Sequence, residues 1–262
     1  MLENIKSLYF VQKLFSNVEE IIKLKIVKYN KNLQNNININ LINYKTFNNK
    51  YIIFEGNRKG KEYDSFTNHL LFEGEYLNGK RNGKGKEYYE DGKLLFEGEY
   101  LSGKRNGKGT EYGKYGYLLF KGEYLKGKKN GKGKEYDYGE LRFDGEYLNG
   151  KRNGKGIEYY YGGKLNFKGE YINGKRNGNG KEYHDDKLIF EGEYLNGERW
   201  NGKGKEYYNN GNLKFEGEYS KGKEWNGKGF DENGNIIYVL LNGTGKVKKY
   251  YNNGNLLFEG EY

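Results

Sequence analysis

From Phe72 onward, apolar and polar positions alternate in short blocks that return about every two dozen residues. The anchor Phe-x-Gly-Glu-Tyr stands at Phe72–Tyr76, Phe96–Tyr100, Phe120–Tyr124, Phe143–Tyr147, Phe167–Tyr171, Phe190–Tyr194, Phe215–Tyr219 and Phe258–Tyr262. Successive anchors start 24, 24, 23, 24, 23 and 25 residues apart, then 43. Compressed copies fit around Phe54–Tyr63 and Tyr238–Tyr250, so the array runs from about Phe54 to Tyr262. Within one copy, Leu94, Phe96, Gly98 and Tyr100 alternate with Leu95, Glu97 and Glu99. That period of two predicts a strand with one apolar face.

A second strand is predicted over "GKGKEYY", Gly83 to Tyr89. Its recurring tyrosine (Tyr88, Tyr112, Tyr136, Tyr159, Tyr183, Tyr207, Tyr250) is expected to pack over a glycine of the partner strand. "NGKRNG", Asn78 to Gly83, reads as the turn inside a repeat. Asp91-Gly92, Gly162-Gly163, Asn210-Gly211 and Asn253-Gly254 read as turns between repeats, since these dipeptides tolerate positive φ. Hairpins joined to hairpins make an all-β antiparallel meander. Two strands per repeat at about 4.8 Å spacing predict an elongated, twisted solenoid on the order of 75–80 Å long. Its stability would be summed from neighbour contacts.

Residues 1–50 follow another period and are expected to be a separate segment from the array at 51–262. Leu8, Val11, Leu14, Phe15, Val18, Ile21, Ile22, Leu24, Ile26 and Val27 are spaced as in a helix, with a break at Ser16-Asn17. Two or three short helices ending near Asn40 are predicted. One reading of them is a cap over the first hairpin's open edge.

Composition narrows the function more than it names it. Apolar residues are 34% of 262, against roughly 45–50% in globular domains, while Gly reaches 42 and Tyr 29. A deep aliphatic core cannot be built from that. The chain has no Cys and no Pro, which excludes disulfides, Cys metal sites and Cys nucleophiles. No run of about 18 apolar residues exists, so no transmembrane helix is expected. The N-terminus lacks the apolar core of a secretory signal. An intracellular protein, cytoplasmic or peripheral to a membrane, is the expectation. The net charge of +10 invites an acidic partner. Lys, Asn, Ile and Tyr share A/T-rich codons, however, so charge alone decides nothing.

Catalysis needs a singular constellation, and this chain offers repeats instead. His69 and His184 are its only histidines, each beside a predicted turn. Glu75, Glu99, Glu123, Glu146, Glu170, Glu193 and Glu218 recur with the repeat and read as cross-strand partners of lysines. "GKRNGKGT", Gly103 to Thr110, falls one residue short of a phosphate loop and puts Gly109 where Ser or Thr is required. Neither an enzyme nor a bound cofactor or metal is expected. The candidate site is a row of basic pairs placed in the intra-repeat turns: Lys80-Arg81, Lys104-Arg105, Lys128-Lys129, Lys151-Arg152 and Lys175-Arg176. Such a row would meet an anionic surface. Nucleic acid is disfavoured as partner, because the recurring aromatics are committed to packing rather than to stacking on bases.

The fixed order of Phe-x-Gly-Glu-Tyr, Asn-Gly-Lys-x-Asn-Gly and Gly-x-Gly resembles the MORN repeat family, with Tyr where many such repeats carry Trp. Trp200 and Trp225 stand elsewhere in the unit. The resemblance implies a β scaffold for protein interaction, dimerisation and, in some members, association with acidic phospholipid. "VQKLFSNVEEIIKLKIVKYNKNLQ", Val11 to Gln34, is similar to a divergent F-box without its Leu-Pro opening. That likeness implies binding to a Skp-type adaptor, with the repeats as a ubiquitin-ligase substrate receptor.

Overall fold

A two-residue turn and a bulge shape each regular repeat. The computed structural model describes residues 8–16, 18, 22–23, 49–55, 58–251 and 255–261. It divides into two units, 1–104 and 105–262. In the first lie helix α1 (Leu8–Ser16) and strands β1 (Lys50–Phe54), β2 (Lys59–Asp64), β3 (Leu70–Leu77), β4 (Lys80–Tyr88) and β5 (Leu94–Leu101). From β1 to β5, neighbours in sequence pair antiparallel.

The second unit continues in the same way. Its strands are β6 (Lys104–Tyr112), β7 (Leu118–Leu125), β8 (Lys128–Asp137), β9 (Glu140–Leu148), β10 (Lys151–Tyr159) and β11 (Leu165–Ile172). They are followed by β12 (Lys175–His184), β13 (Lys187–Leu195), β14 (Glu198–Tyr207), β15 (Leu213–Ser220), β16 (Lys223–Phe230) and β17 (Ile236–Leu240). All twelve pair as an antiparallel meander, and among the described residues no pairing closes the first onto the last. A terminal hairpin joins β18 (Lys246–Tyr250) to β19 (Leu256–Glu261). The all-β meander expected from the pattern is the observed architecture. Of the helices expected before residue 50, α1 is seen; the F-box-like span Val11–Gln34 lies mostly outside the described residues.

Local chemistry explains the unit. The intra-repeat turn is two residues, such as Asn149 (φ 52°) and Gly150 (φ 89°), both left-handed as the tightest hairpin requires. The next residues already belong to the strand: Lys151 faces Leu148 across it, and Arg152 faces Tyr147. A bulge follows, with Gly145 opposite Gly156. In β8 the bulge glycine, Gly131, has φ 91° and lies so close to the Glu123 carboxylate that a Cβ would collide with it. Glu123 accepts a hydrogen bond from the neighbouring Lys132 N–H at 3.3 Å. This is the work of the Glu75-type carboxylates: Glu146 and Glu170 accept from the N–H groups of Lys155 and Asn179 at 3.1 Å each. The expected Lys pairing is seen at Lys203–Glu218 (3.8 Å), and closer Lys pairs use other acids, as in Lys134–Asp144 at 2.7 Å and Lys181–Glu191 at 2.8 Å.

The core is one face of the sheet. Phe120, Phe143 and Phe167 are wholly buried, and each meets anchor tyrosines edge-on at 5.0–5.6 Å. Each such pair contributes about 0.5–1.5 kcal/mol beyond area burial. The Phe120 ring tip lies over Gly133, where an added Cβ would sit 2.3 Å from it. The ring over glycine is therefore the anchor Phe, not the second-strand tyrosine expected from the sequence. Tyr88 is half-buried and donates its hydroxyl to Glu73 at 2.5 Å.

Candidate interaction surfaces

Because the turn is only two residues long, the two members of each basic pair occupy successive strand positions and point to opposite faces. Lys80, Lys104, Lys128, Lys151 and Lys175 are exposed. Arg81, Arg105, Lys129, Arg152 and Arg176 are half-buried on the aromatic face. The paired basic tip expected from the sequence is thus corrected to a single lysine per repeat.

The inward cations serve the fold. Arg152 lies over the Phe143 ring at 4.1 Å, Arg176 over Phe167 at 4.3 Å, and Lys129 over Phe120 at 4.3 Å. Arg152 and Arg176 also bridge carboxylates of adjoining repeats, while Lys129 pairs with Glu135. In the second unit the chain of ion pairs runs Lys129–Glu135 (3.3 Å), Glu135–Arg152 (2.7 Å), Arg152–Glu158 (2.7 Å), Glu158–Arg176, Arg176–Glu182 (3.5 Å) and Glu182–Arg199 (2.8 Å). In the first unit Arg81 joins Glu62 (3.2 Å) and Glu87 (2.8 Å) over Phe72. Burial alone would raise the pKa of Glu135, yet Arg152, hydrogen-bonded to it, and Lys129 hold it below the usual carboxylate range. Burial pushes the Tyr147 hydroxyl well above its usual pKa, and the Glu135 charge adds to the shift. The signal was in the sequence: a Glu stands six residues after each of Arg81, Arg105, Lys129, Arg152 and Arg176.

The outward face at the hairpin tips holds residues that the sequence reading passed over. Leu125 stands opposite Lys128, Leu148 opposite Lys151, and Ile172 opposite Lys175. All three apolar side chains are about half exposed. In the first unit Leu77 and Lys80 repeat the arrangement. Glu198 interrupts the row of lysines, opposite Leu195, and Lys223 follows opposite Ser220. Further from the tips, the same face carries a trough of about 860 Å³ in β8–β13. Gly145, Gly156, Gly169, Gly180 and Gly192 form its floor, and mixed Lys, Asp and Glu form its walls.

The opposite edge, where repeats join, is aromatic. Tyr115, Tyr138 and Tyr161 are 80%, 73% and 57% exposed. His184 lies on this edge, near Asp185 (3.8 Å), and His69 is exposed in the first unit. Among the described residues, no group of three or more His, Cys, Asp or Glu could hold a metal ion. Among them, too, no helix is long and apolar enough to cross a membrane.

Comparison with known proteins agrees with this geometry. The MORN repeat pattern matches residues 72–93, 96–115, 120–138, 143–164 and 167–187, and the MORN repeat variant matches 200–221 and 244–262. No curated protein matches the sequence. Among solved structures, TarM is 14% identical over 66% of this chain, with a TM-score of 0.26. A protein of unknown function from Bacteroides caccae is 11% identical over 81% of this chain and 93% of its own, with a TM-score of 0.16. The chain spans 30% of TarM's length. With more than half of its residues matched and the two-stranded unit repeated throughout both units, the chain belongs to the MORN repeat family.

Proposed function

We propose that this repeat-based interaction module is a non-catalytic scaffold whose hairpin tips seat on an acidic phospholipid surface. The observation that supports it is the repeated pair of an exposed aliphatic and an exposed lysine: Leu125/Lys128, Leu148/Lys151 and Ile172/Lys175. An aliphatic side chain enters the headgroup boundary while the neighbouring ammonium stays with the phosphates. Each cation near an acidic leaflet contributes about 1 kcal/mol. Three lysines give weak, salt-sensitive attachment, which a second copy of the chain would strengthen by avidity.

Co-sedimentation with phosphatidylcholine vesicles, with and without phosphatidylserine, tests this. Binding should require the acidic lipid and fall as salt rises, because screening shortens to about 3 Å at 1 M. Lys128→Glu, Lys151→Glu and Lys175→Glu together should abolish it. Equal pelleting with neutral and acidic vesicles, or indifference to the triple reversal, would end the proposal.

A further inference from the structure

The edge where repeats join in the second unit carries its own constellation. Three successive turns present Tyr115 and Tyr117, then Tyr138, then Tyr161. The rings of Tyr117, Tyr138 and Tyr161 are held by neighbours. Tyr117 meets Tyr138 edge-on at 5.8 Å, Tyr161 donates its hydroxyl to Asp137, and Arg142 stacks on Tyr161 at 4.0 Å. Gly162 N–H also donates to Glu140 across the turns at 2.7 Å.

Tyr138 is the singular one. Its φ is 47°, the left-handed region that a bulky residue avoids, and it sits where Asn serves in the tightest hairpins. Its ring is 73% exposed, so little burial offsets that cost. A strained backbone kept at an exposed aromatic points from geometry to binding.

Period and charge select the occupant. Successive turns of this edge lie about 9.6 Å apart, two strand spacings. One turn of a polyproline II helix advances about 9.3 Å in three residues. A proline-rich segment lying along the edge would therefore bring one turn to each of the three tyrosine sites, needing about six or seven residues. Tyrosine rings pack flat on prolines, and the hydroxyls of Tyr115 and Tyr138 donate to the solvated carbonyls of such a helix, while Asp137 holds that of Tyr161. The edge is also charge-balanced: Lys114, Arg142, Lys164 and Lys187 against Asp137, Glu140, Asp185 and Asp186, within a chain of net charge +10. A neutral ligand matches that, and a single-stranded nucleic acid, which needs a cationic track, does not. These 262 residues contain no proline, so none of them supplies the segment.

We propose that the Tyr115–Tyr138–Tyr161 edge binds a proline-rich polyproline II segment of a partner protein. The test is fluorescence anisotropy of labelled decaproline titrated with the full chain, against a Gly/Ser peptide of equal length. Saturable binding of decaproline alone is expected. Tyr138→Asn and Tyr161→Asn should each weaken it at least roughly tenfold, as truncation of an aromatic anchor does. Asn suits the left-handed turn, so thermal melts of Tyr138→Asn should match or exceed the parent, which separates lost contact from lost fold. Lys128→Glu, on the other edge, should leave decaproline binding unchanged. Absence of saturable binding, binding indifferent to both tyrosine variants, or retention of a neutral oligosaccharide such as maltoheptaose in place of decaproline would overturn the assignment.

Discussion

The regular repeats of the second unit and its last full repeat bury the same phenylalanine by different means. From Phe120 to Phe190, each anchor ring is covered by a cation from the following strand. Around Phe215 the cation is missing, because Glu224 stands opposite Tyr219 where Arg152 stands opposite Tyr147. The cover there is Tyr238, stacked on Phe215 at 6.4 Å and 19°. Tyr238 occupies the floor-glycine register, opposite Gly229, and donates its hydroxyl to Glu224 at 3.1 Å. Phe215 is as fully buried as Phe167. The fold therefore requires a lid over the ring, and charge is one way of making it.

The ladder ends for a countable reason. Glu158 follows Arg152 by six positions, but Trp200 makes the step from Arg199 to Glu206 seven; Arg199 keeps its bond back to Glu182, and Glu206 accepts the Tyr219 hydroxyl as Glu182 accepts that of Tyr194. One inserted residue moves the carboxylate out of register.

The largest test removes a shared element. Phe167→Ala or Phe215→Ala should cost about 3–5 kcal/mol in urea melts. Near-equal losses are expected, since both rings are wholly buried. A loss at Phe215 below about 1 kcal/mol would mean that its stacked lid leaves the ring idle.

Next comes the lid itself. Tyr238→Gly should destabilise by about 3 kcal/mol, the cost of emptying a buried aromatic site. Adding Glu224→Arg to that variant rebuilds the regular arrangement and should recover about 1 kcal/mol. If the double variant is no more stable than Tyr238→Gly, the equivalence of ring and cation is wrong.

A smaller effect separates the two members of one basic pair. Arg152→Ala should cost about 2 kcal/mol, less than a fully buried ion pair because the side chain is still a quarter exposed. Arg152→Met, which keeps the cover without the charge, should cost about half as much. Lys151→Ala should stay within about 0.5 kcal/mol. Equal losses for Arg152→Ala and Lys151→Ala would refute the division of labour.

That division shows where sequence reading stopped. The strands were legible because Leu94, Phe96, Gly98 and Tyr100 keep a period of two. The basic pairs were misplaced because "NGKRNG" reads as one long turn, whereas Asn-Gly alone makes it and Lys-Arg enters the strand. Once there, alternation sends Lys151 out and Arg152 in. The ring over glycine was assigned to Tyr88 rather than Phe72 because the choice depends on register, and a register shift between Glu87 and Tyr88 is invisible along one strand. Leu125 and Leu148 stand one place past the anchor tyrosine, outside the alternation read from Leu94 to Tyr100, and their exposure follows from their place beside the turn. Tyr138 stands before Gly139 in a two-residue turn, the place Asn149 takes before Gly150, and a bulky residue there is a conformational anomaly in plain sequence.

The smallest expected effect distinguishes the two kinds of lid by pH. Glu135 has a folded pKa below its ordinary 4.5, held there by Arg152 and Lys129 against burial. A depressed carboxylate adds stability that is present above 4.5 and lost as pH falls through the folded value. Arg152→Met removes the main partner, so its stability should fall less steeply below pH 4.5 than that of the parent. Tyr238→Gly leaves Glu135 untouched and should keep the parental acid slope. The alkaline limb works in the opposite sense. Burial raises the hydroxyls of Tyr147 and Tyr219 above 10.0, so stability is intact below that pH and is lost above it. Because buried anchor tyrosines serve both regions, parent and Arg152→Met should lose stability above pH 10.0 to similar extents. Urea melts across both limits give the answer, and an unchanged acid slope in Arg152→Met would show that the ladder charges are not coupled to folding.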